Sequence, residues 1–360
     1  MKKRMTMNRA ELFWQRIKEA DTIAIGGHIR PDGDCVGSVM GLYHAIHWLY
    51  QDKKVTVYLG EFSPSFLFIK DLSDMVLCPE REAVEQAVSK APVYDLFIAL
   101  DTSSEERLEF SAIMRNARRT ICVDHHVTNT GYVQDNLVFD SSSASEAVYD
   151  LLMSKYQAVK LSEIEKNECT SNLSVAAFSS DQAPALPKEV AEALYLGIVH
   201  DTGVFKHSNT TRHTMEAAGH LISCGVNTSA VIDDTFYRKT YAQNLILGRA
   251  LLESRRYEEN RVIETCVPRS YFTMYQITKP DLDGIVDQLR ITEGVEVAIF
   301  AYETEDKDYK FSFRSNSYVD VSRVAMAFGG GGHIRAAGCA LKAPYEQALK
   351  QVLEEIKKQL

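Results

Sequence analysis

The chain has 360 residues, a formal net charge of −9 and 45% hydrophobic residues, enough to bury a sizeable core and to suggest about two domains. An ordinary charged fraction of 25% argues against wholesale disorder. The mild acidity argues against a protein that coats duplex DNA by bulk charge, while leaving room for a local basic pocket that takes a small anion.

The opening stretch, MKKRMTMNRAELFW, is basic but lacks the apolar run of a signal peptide. No run approaches the roughly 20 apolar residues of a transmembrane helix. Seven cysteines at 35, 78, 122, 169, 224, 266 and 339 form no CxxC pair, which fits small hydrophobes in a reducing compartment. A soluble cytoplasmic protein without membrane association is expected.

In chain order, TIAIGG (22–27), KVTVYL (54–59), YDLFIALD (94–101) and RTICVD (119–124) read as buried strands. Their apolar residues run on instead of alternating, as in parallel strands covered on both faces. Helical patterns lie between them at 35–51 and 81–91. This repetition predicts an α/β fold with a doubly wound, mainly parallel N-terminal sheet. Ser143 and Glu146 form a capping-box pattern before SEAVYDLLMSKY. The Ser-rich segment 166–187 reads as a surface insertion or loop. Helical patterns resume at KEVAEALYLGIV and TRHTMEAAGHLISCG, and YAQNLILGRALLES (241–254) reads as a bridge to a second domain. Boundaries at 1–240, a helical linker at 241–256 and a smaller α/β domain at 257–360 result. In that last domain VEVAIFAYE and YKFSFRS read as strands, and YEQALKQVLEEIKKQL as a closing amphipathic helix. Alternation along YKFSFRS puts Tyr309, Phe311 and Phe313 on one face and Lys310, Ser312 and Arg314 on the other.

The ends of these elements carry the chemistry. TIAIGG is followed by His28, Asp32 and Asp34; DLFIAL by Asp101; TICV by Asp124, His125 and His126; YLGIVH by Asp201. A single aspartate at a strand end is ordinarily a turn or cap residue. Four acid-bearing segments, each after an apolar element, form a set that turns alone do not explain. The carboxyl ends of an open parallel sheet share one edge, so these groups converge in one crevice. Crowded carboxylates repel, and a divalent cation removes the repulsion. Oxygen with imidazole nitrogen suits Mn²⁺, with Mg²⁺, Co²⁺ or Zn²⁺ as alternatives. Six to seven ligands exceed the need of one ion, so two are expected, roughly 4 Å apart, with a shared carboxylate and a hydroxide activated between them.

The segments HIRPDGD, ALDTS, VDHH and GIVHDTG resemble, in order and spacing, the four motifs of the DHH phosphoesterase superfamily, and GGGGHIRAAG (329–338) resembles the glycine-rich motif of its DHHA1 domain. The resemblance spans roughly 20–345 and looks strongest to the two-domain nanoRNase/pAp phosphatase group. It implies one metal on His28, Asp32 and Asp101, and a second on Asp34, Asp101, His125 and Asp201, with Asp101 bridging. It further implies that Asp124 orients an imidazole and that His126 faces the scissile phosphate. Arg30 stands where the family often has Asn.

The glycine run reads as a four-glycine turn whose backbone N–H groups, Gly331 and Gly332 among them, can nest an anion. His333 and Arg335 add donors there. The resemblance implies that Arg314, Ser315 and His333 grip a terminal phosphate or nucleotide. The expected activity is hydrolysis of short RNA or DNA oligonucleotides, linear dinucleotides or 3′-phosphoadenosine 5′-phosphate (pAp) to mononucleotides. A cyclic-dinucleotide phosphodiesterase, a pyrophosphate or polyphosphate hydrolase, and a non-catalytic nucleotide-binding module are the alternatives. A homodimer is one assembly consistent with this reading.

Overall fold

The computed structural model describes residues 8–78, 81–167, 185–305 and 308–360, and the chain divides into two compact units, Met1–Arg238 and Lys239–Leu360. In the first unit, α1 (Arg9–Glu19) starts at Asn8, whose side chain accepts from the Ala10 amide. Six parallel strands follow: β1 (Thr22–Gly26), β2 (Lys54–Gly60), β3 (Val76–Cys78), β4 (Leu96–Leu100), β5 (Thr120–Asp124) and β6 (Asp135–Val138). Their order is β3-β2-β1-β4-β5-β6. The four apolar runs of the sequence are the four inner strands. Edge strands β3 and β6 have only three and four residues, too few for a hydrophobic run to announce them. The chain leaves β1 for β2 on one side and returns to β1's other side as β4. Connections therefore diverge between these two carboxyl ends and open a crevice there.

The helices of this unit are α2 (Gly33–Leu49), α3 (Arg81–Lys90), α4 (Ser111–Asn116), α5 (Ala144–Asn167), α6 (Lys188–Asp201), α7 (Arg212–Ser223) and α8 (Thr228–Ile232). Asp32 caps α2, its Oδ1 accepting from the amides of Asp34 at 3.0 Å and Cys35 at 3.1 Å. Ser143 caps α5 by accepting from the Glu146 amide at 3.0 Å. The expected reciprocal bond is replaced: the Glu146 carboxylate takes the Ser142 hydroxyl. Helices α2 and α6 pack closely around Gly197, where a Cβ would collide with Ser145 Oγ and stand 2.6 Å from Asp34 Oδ1. Most of the Ser-rich segment, residues 168–184, lies outside the described residues.

The second unit begins with α9 (Tyr241–Leu252). The segment read as a linker thus supplies Ile246 and Ala250 to this unit's own core. Its mixed sheet comprises β7 (Arg255–Tyr257), β8 (Val262–Val267), β9 (Val297–Glu305), β10 (Asp308–Ser315), β11 (Gly331–His333) and β12 (Ala336–Lys342), in the order β11-β12-β10-β9-β8-β7. Helices α10 (Arg269–Met274) and α11 (Ile285–Arg290) lie between β8 and β9, α12 (Val321–Met326) follows β10, and α13 (Tyr345–Lys357) closes the chain. Phe311, Phe313, Ala337 and Cys339 are buried with Val324, Leu349 and Val352 of α12 and α13. Ile263, Ala298 and Phe300 are buried with residues of α9 and α11.

The glycine run corrects one expectation. Only Gly329 and Gly330 turn, closing α12 through a Gly330 amide bond to the Ala325 carbonyl at 2.9 Å. Gly331–His333 is instead an edge strand paired with Ala336–Gly338. Glycine is required there for close approach: Gly332 has φ 145° and its Cβ would lie 2.5 Å from the Ala336 carbonyl oxygen. Among the described residues no helix is long and apolar enough to cross a membrane.

Candidate functional site

The crevice between β1 and β4 gathers the predicted cluster. His28 follows β1, Asp101 follows β4, His125 follows β5, Asp32 and Asp34 sit at the start of α2, and Asp201 ends α6. His125 Nε2 lies 3.5 Å from Asp101 Oδ1, 3.5 Å from Asp201 Oδ2 and 3.8 Å from Asp34 Oδ2. His28 Nε2 lies 3.4 Å from Asp101 Oδ2 and 3.6 Å from Asp32 Oδ1. Asp101 therefore stands between two imidazoles and two carboxylate-bearing segments. Its φ of +52° is unusual for a residue other than glycine and turns the chain at the sheet edge.

Each group is braced. His28 Nδ1 donates to the Ile29 carbonyl at 2.8 Å, leaving Nε2 for the cluster. Asp34 is 1% exposed and accepts from the Ala144 and Ser145 amides at 2.7 and 2.9 Å, so the start of α5 positions it. Asp124 is fully buried. Its Oδ1 accepts from His126 Nδ1 at 2.8 Å and from the His125 amide at 2.9 Å, and its Oδ2 accepts from Asn129 Nδ2 at 2.6 Å. The imidazole it orients is thus His126, which stays 43% exposed and 3.7 Å from Asp101 Oδ1.

The electrostatics are those of a site short of positive charge. Burial opposes charge on His28 and His125, yet the surrounding carboxylates outweigh it and push both up to about 10. Burial and the Asp101 charge hold Asp34 well above the carboxylate range. Burial raises Asp201 to about 6, with the Asp101 charge offsetting the help of His125. Burial would raise Asp101 too, but the two imidazoles beside it, His125 and His28, outweigh burial and hold it below the usual range. Even so, Asp101 Oδ1 is buried without a well-formed hydrogen bond, a costly state unless something else binds it. Candidate ligand atoms of Asp34, His125 and Asp201 lie within 4.8 Å of one another, as do those of Asp101, Asp124, His125 and His126. Oxygen and imidazole donors, with one orphaned carboxylate oxygen among them, fit a hard or borderline cation. Cys35 is near His28 and Asp101, but burial and the Asp101 charge keep its thiol protonated.

In the second unit, strand register sets a different arrangement. Arg314 pairs with Ala298 and with Ala336, and Ala336 pairs with His333. Arg314 and His333 therefore share one row and one face, opposite Phe311 and Phe313, with Ala336 between them. Ser312, Gly338 and Gly331 form the next row. This small-residue floor carries Arg314 on one side and the exposed His333 on the other. Arg314 Nε lies 3.3 Å from Asp287 Oδ1. Ser315 accepts from Arg335 Nη1 at 3.3 Å, and the same guanidinium donates to the Val319 carbonyl at 2.8 Å. Arg335 is thus engaged in holding the loop after β10. Glu296, unnoticed in the sequence, holds that loop too, its carboxylate accepting from the amides of Ser317, Tyr318 and Val319. Gly331 also lines a cleft of ≈ 670 Å³ with Thr304, Lys310, Gly338 and Lys342. Gly332 is occupied in strand pairing.

Two residues that position the cluster give little sign of it in the sequence. Asn129 looks like a turn residue, and its offset of five from Asp124 is the only hint. Gly197 opens the GIVHDTG segment, but nothing in the segment shows that its missing Cβ makes room for Ser145 and Asp34.

The fold and the cluster define a two-domain phosphoesterase architecture, and the chain belongs to the DHH family: the model of the DHH family N-terminal domain matches residues 22–198 and that of the DHHA1 domain residues 269–360. It is 27% identical over 340 residues to the bifunctional oligoribonuclease and PAP phosphatase NrnA of Thermus thermophilus, covering 94% of this chain and 90% of that one. Against the NrnA of Bacillus subtilis identity is 26% over 324 residues, covering 89% and 90%. The crystal structure of an exopolyphosphatase-related protein from Bacteroides fragilis superposes with a TM-score of 0.78 at 24% identity, covering 99% and 98% of the two chains. That likeness supports the fold.

Proposed function

We propose that this chain is a metal-dependent phosphoesterase that hydrolyses short oligonucleotides, linear dinucleotides and pAp to mononucleotides. The observation that carries the reading is Asp101 Oδ1, buried without a hydrogen-bond partner where His125 and His126 approach it at 3.5 and 3.7 Å. His28, Asp32 and Asp101 would hold one divalent cation, and Asp34, Asp101, His125 and Asp201 a second, with Mn²⁺ the first choice. When bound, such a pair supplies Lewis acidity and charge neutralisation at the phosphoryl group.

The chain's own groups do the rest. Asp124 fixes His126 through Nδ1 and leaves Nε2 free at the crevice mouth. The Asp124 bond outweighs burial and holds His126 above its ordinary value. His126 can therefore carry a proton at Nε2 and deliver it to the leaving oxygen. In the second unit Arg314, Ser315 and His333 would take a terminal phosphate, a planar guanidinium suiting it bidentately. Gly331, on the face of Arg314 and His333, would let the nucleotide lie close to the sheet, and Arg335 would brace Ser315.

The relatives named for oligoribonuclease and PAP phosphatase activity align over about nine tenths of both chains. The cyclic-di-AMP phosphodiesterase PdeA of Listeria monocytogenes aligns over 51% of its own length at 24% identity, so the linear substrates are the favoured class. The proposed setting is the cytoplasm. The test is to incubate Mn²⁺-loaded protein with 5′-phosphorylated diadenylate (pApA) and with pAp at neutral pH and follow products by chromatography. AMP is the expected product of both, and absence of hydrolysis of both would falsify the proposal.

A further inference from the structure

The loop between His28 and Asp32 contains a feature that the metal-binding scheme leaves unused. Arg30 has φ +55° and is exposed, and it immediately precedes the buried Pro31. A residue before proline is sterically biased to extended conformations, and left-handed backbone is costly for a long side chain. The turn itself explains the geometry, because His28 and Asp32 must face one another at 3.6 Å across four residues. Asparagine or glycine would satisfy that turn with less strain. The choice of arginine therefore calls for a reason beyond the backbone.

Among the described residues the guanidinium makes no hydrogen bond, ion pair or ring contact. A second free guanidinium belongs to the adjoining segment. The Ile29 amide donates to the Arg107 carbonyl at 2.8 Å, and His28 and Leu108 form a β-bridge. Arg107 is exposed and its side chain is equally without a partner among the described residues. Two cations without a partner among the described residues thus flank the backbone that carries His28, whose Nε2 lies 3.6 Å from Asp32 and 3.4 Å from Asp101.

Building on the phosphoesterase reading, we propose that Arg30 is a substrate-affinity residue of the same centre, supported by Arg107: its guanidinium takes non-bridging oxygens of the phosphoryl group presented at the His28–Asp32 side. A planar fork on a fixed turn matches a phosphoryl group, and a water-exposed phosphate is the ligand class an unpaired arginine is suited to hold. The strained turn sets the guanidinium's origin beside the cluster, and Pro31 stiffens it.

The test uses Arg30→Asn and Arg30→Gly in the full chain, since both suit a positive φ. Thermal midpoint should equal or exceed that of the parent, and Mn²⁺ affinity should be unchanged. KM for pApA should rise about 10- to 100-fold with kcat within about threefold, the size expected for a charge-assisted contact. Arg107→Ala should give a smaller rise. Calorimetric binding of AMP to the Mn²⁺-loaded protein gives a readout free of turnover and should weaken in parallel. Parental KM and AMP affinity in Arg30→Asn would overturn the assignment. So would a loss of Mn²⁺ affinity matching the loss in KM, which would make Arg30 a shaper of the loop. If the parent protein hydrolyses neither substrate, the phosphoesterase reading fails, and AMP binding alone decides the role of Arg30.

Discussion

At the edge of the first sheet Asp34, Asp101 and Asp124 are 1%, 3% and 0% exposed, while on the open face of the second sheet His333 and Lys310 are exposed and Arg314 is half-buried. The two regions handle charge in opposite ways. Buried carboxylates of one sign must be balanced within the fold, by protons or by a cation, so each of them is tied to the others. On the sheet face His333 and Lys310 are balanced by water and Arg314 by one ion pair with Asp287 at 3.3 Å, so these groups are only weakly tied to one another. Loss of a side chain should therefore be felt collectively in the first region and singly in the second.

Asp101→Asn tests the collective side and carries the largest expected effect. The amide keeps the shape but removes the charge that both imidazoles answer. kcat/KM should fall by about 10³-fold or more, and Mn²⁺ binding followed by calorimetry should weaken with it. Retained activity with parental metal affinity would show that Asp101 does not join the two halves of the cluster. Arg314→Ala tests the single side. KM for pApA should rise about 10- to 100-fold, with Mn²⁺ affinity unchanged. Equal losses in both quantities would erase the contrast between the regions.

How much of each region is legible in the sequence depends on how each is built. In the first, the clustered carboxylates and imidazoles follow apolar runs, and parallel topology alone brings strand ends to one edge, so Asp101, Asp124 and His125 can be read from periodicity. What positions them cannot. The amides that hold Asp34 belong to Ala144 and Ser145, more than a hundred residues away. Asn129 reaches Asp124 only because the loop after β5 folds back. In the second region, alternation puts Arg314 on the right face, and strand register does the rest. Composition misleads at the glycine run. A stretch of four glycines permits a turn, yet the pairing of Gly331–His333 with β12 makes half of it a strand. Local propensity is weak for glycine, and the neighbouring strand decides. Glu296 gives no signal because a lone acid before an apolar strand is ordinary until its partners, some twenty residues on, are known.

Glu296 also gives the smallest expected effect, and it sharpens the comparison by placing a buried acid in the second region. Its carboxylate accepts from the amides of Ser317, Tyr318 and Val319 and from the Ser317 hydroxyl at 2.6 Å. Burial alone would raise its pKa, but these donors outweigh burial and hold it below the ordinary value. A depressed folded value means that the stabilisation is complete above the unfolded value of about 4.3 and fades as pH falls through the folded one. Glu296→Gln turns an amide group toward N–H donors and should cost about 1–3 kcal/mol at neutral pH. The gap between variant and parent should then narrow below about pH 4.3. Hydrogen exchange of 297–305 and 308–319 measures it in the intact chain, since the loss should fall on β9, β10 and the loop after Ser315. Mn²⁺ affinity should not change, because this acid is satisfied by amides where Asp101 is satisfied by none. A parent–variant gap that persists undiminished at low pH would show that packing, not the carboxylate charge, holds the loop behind Arg314.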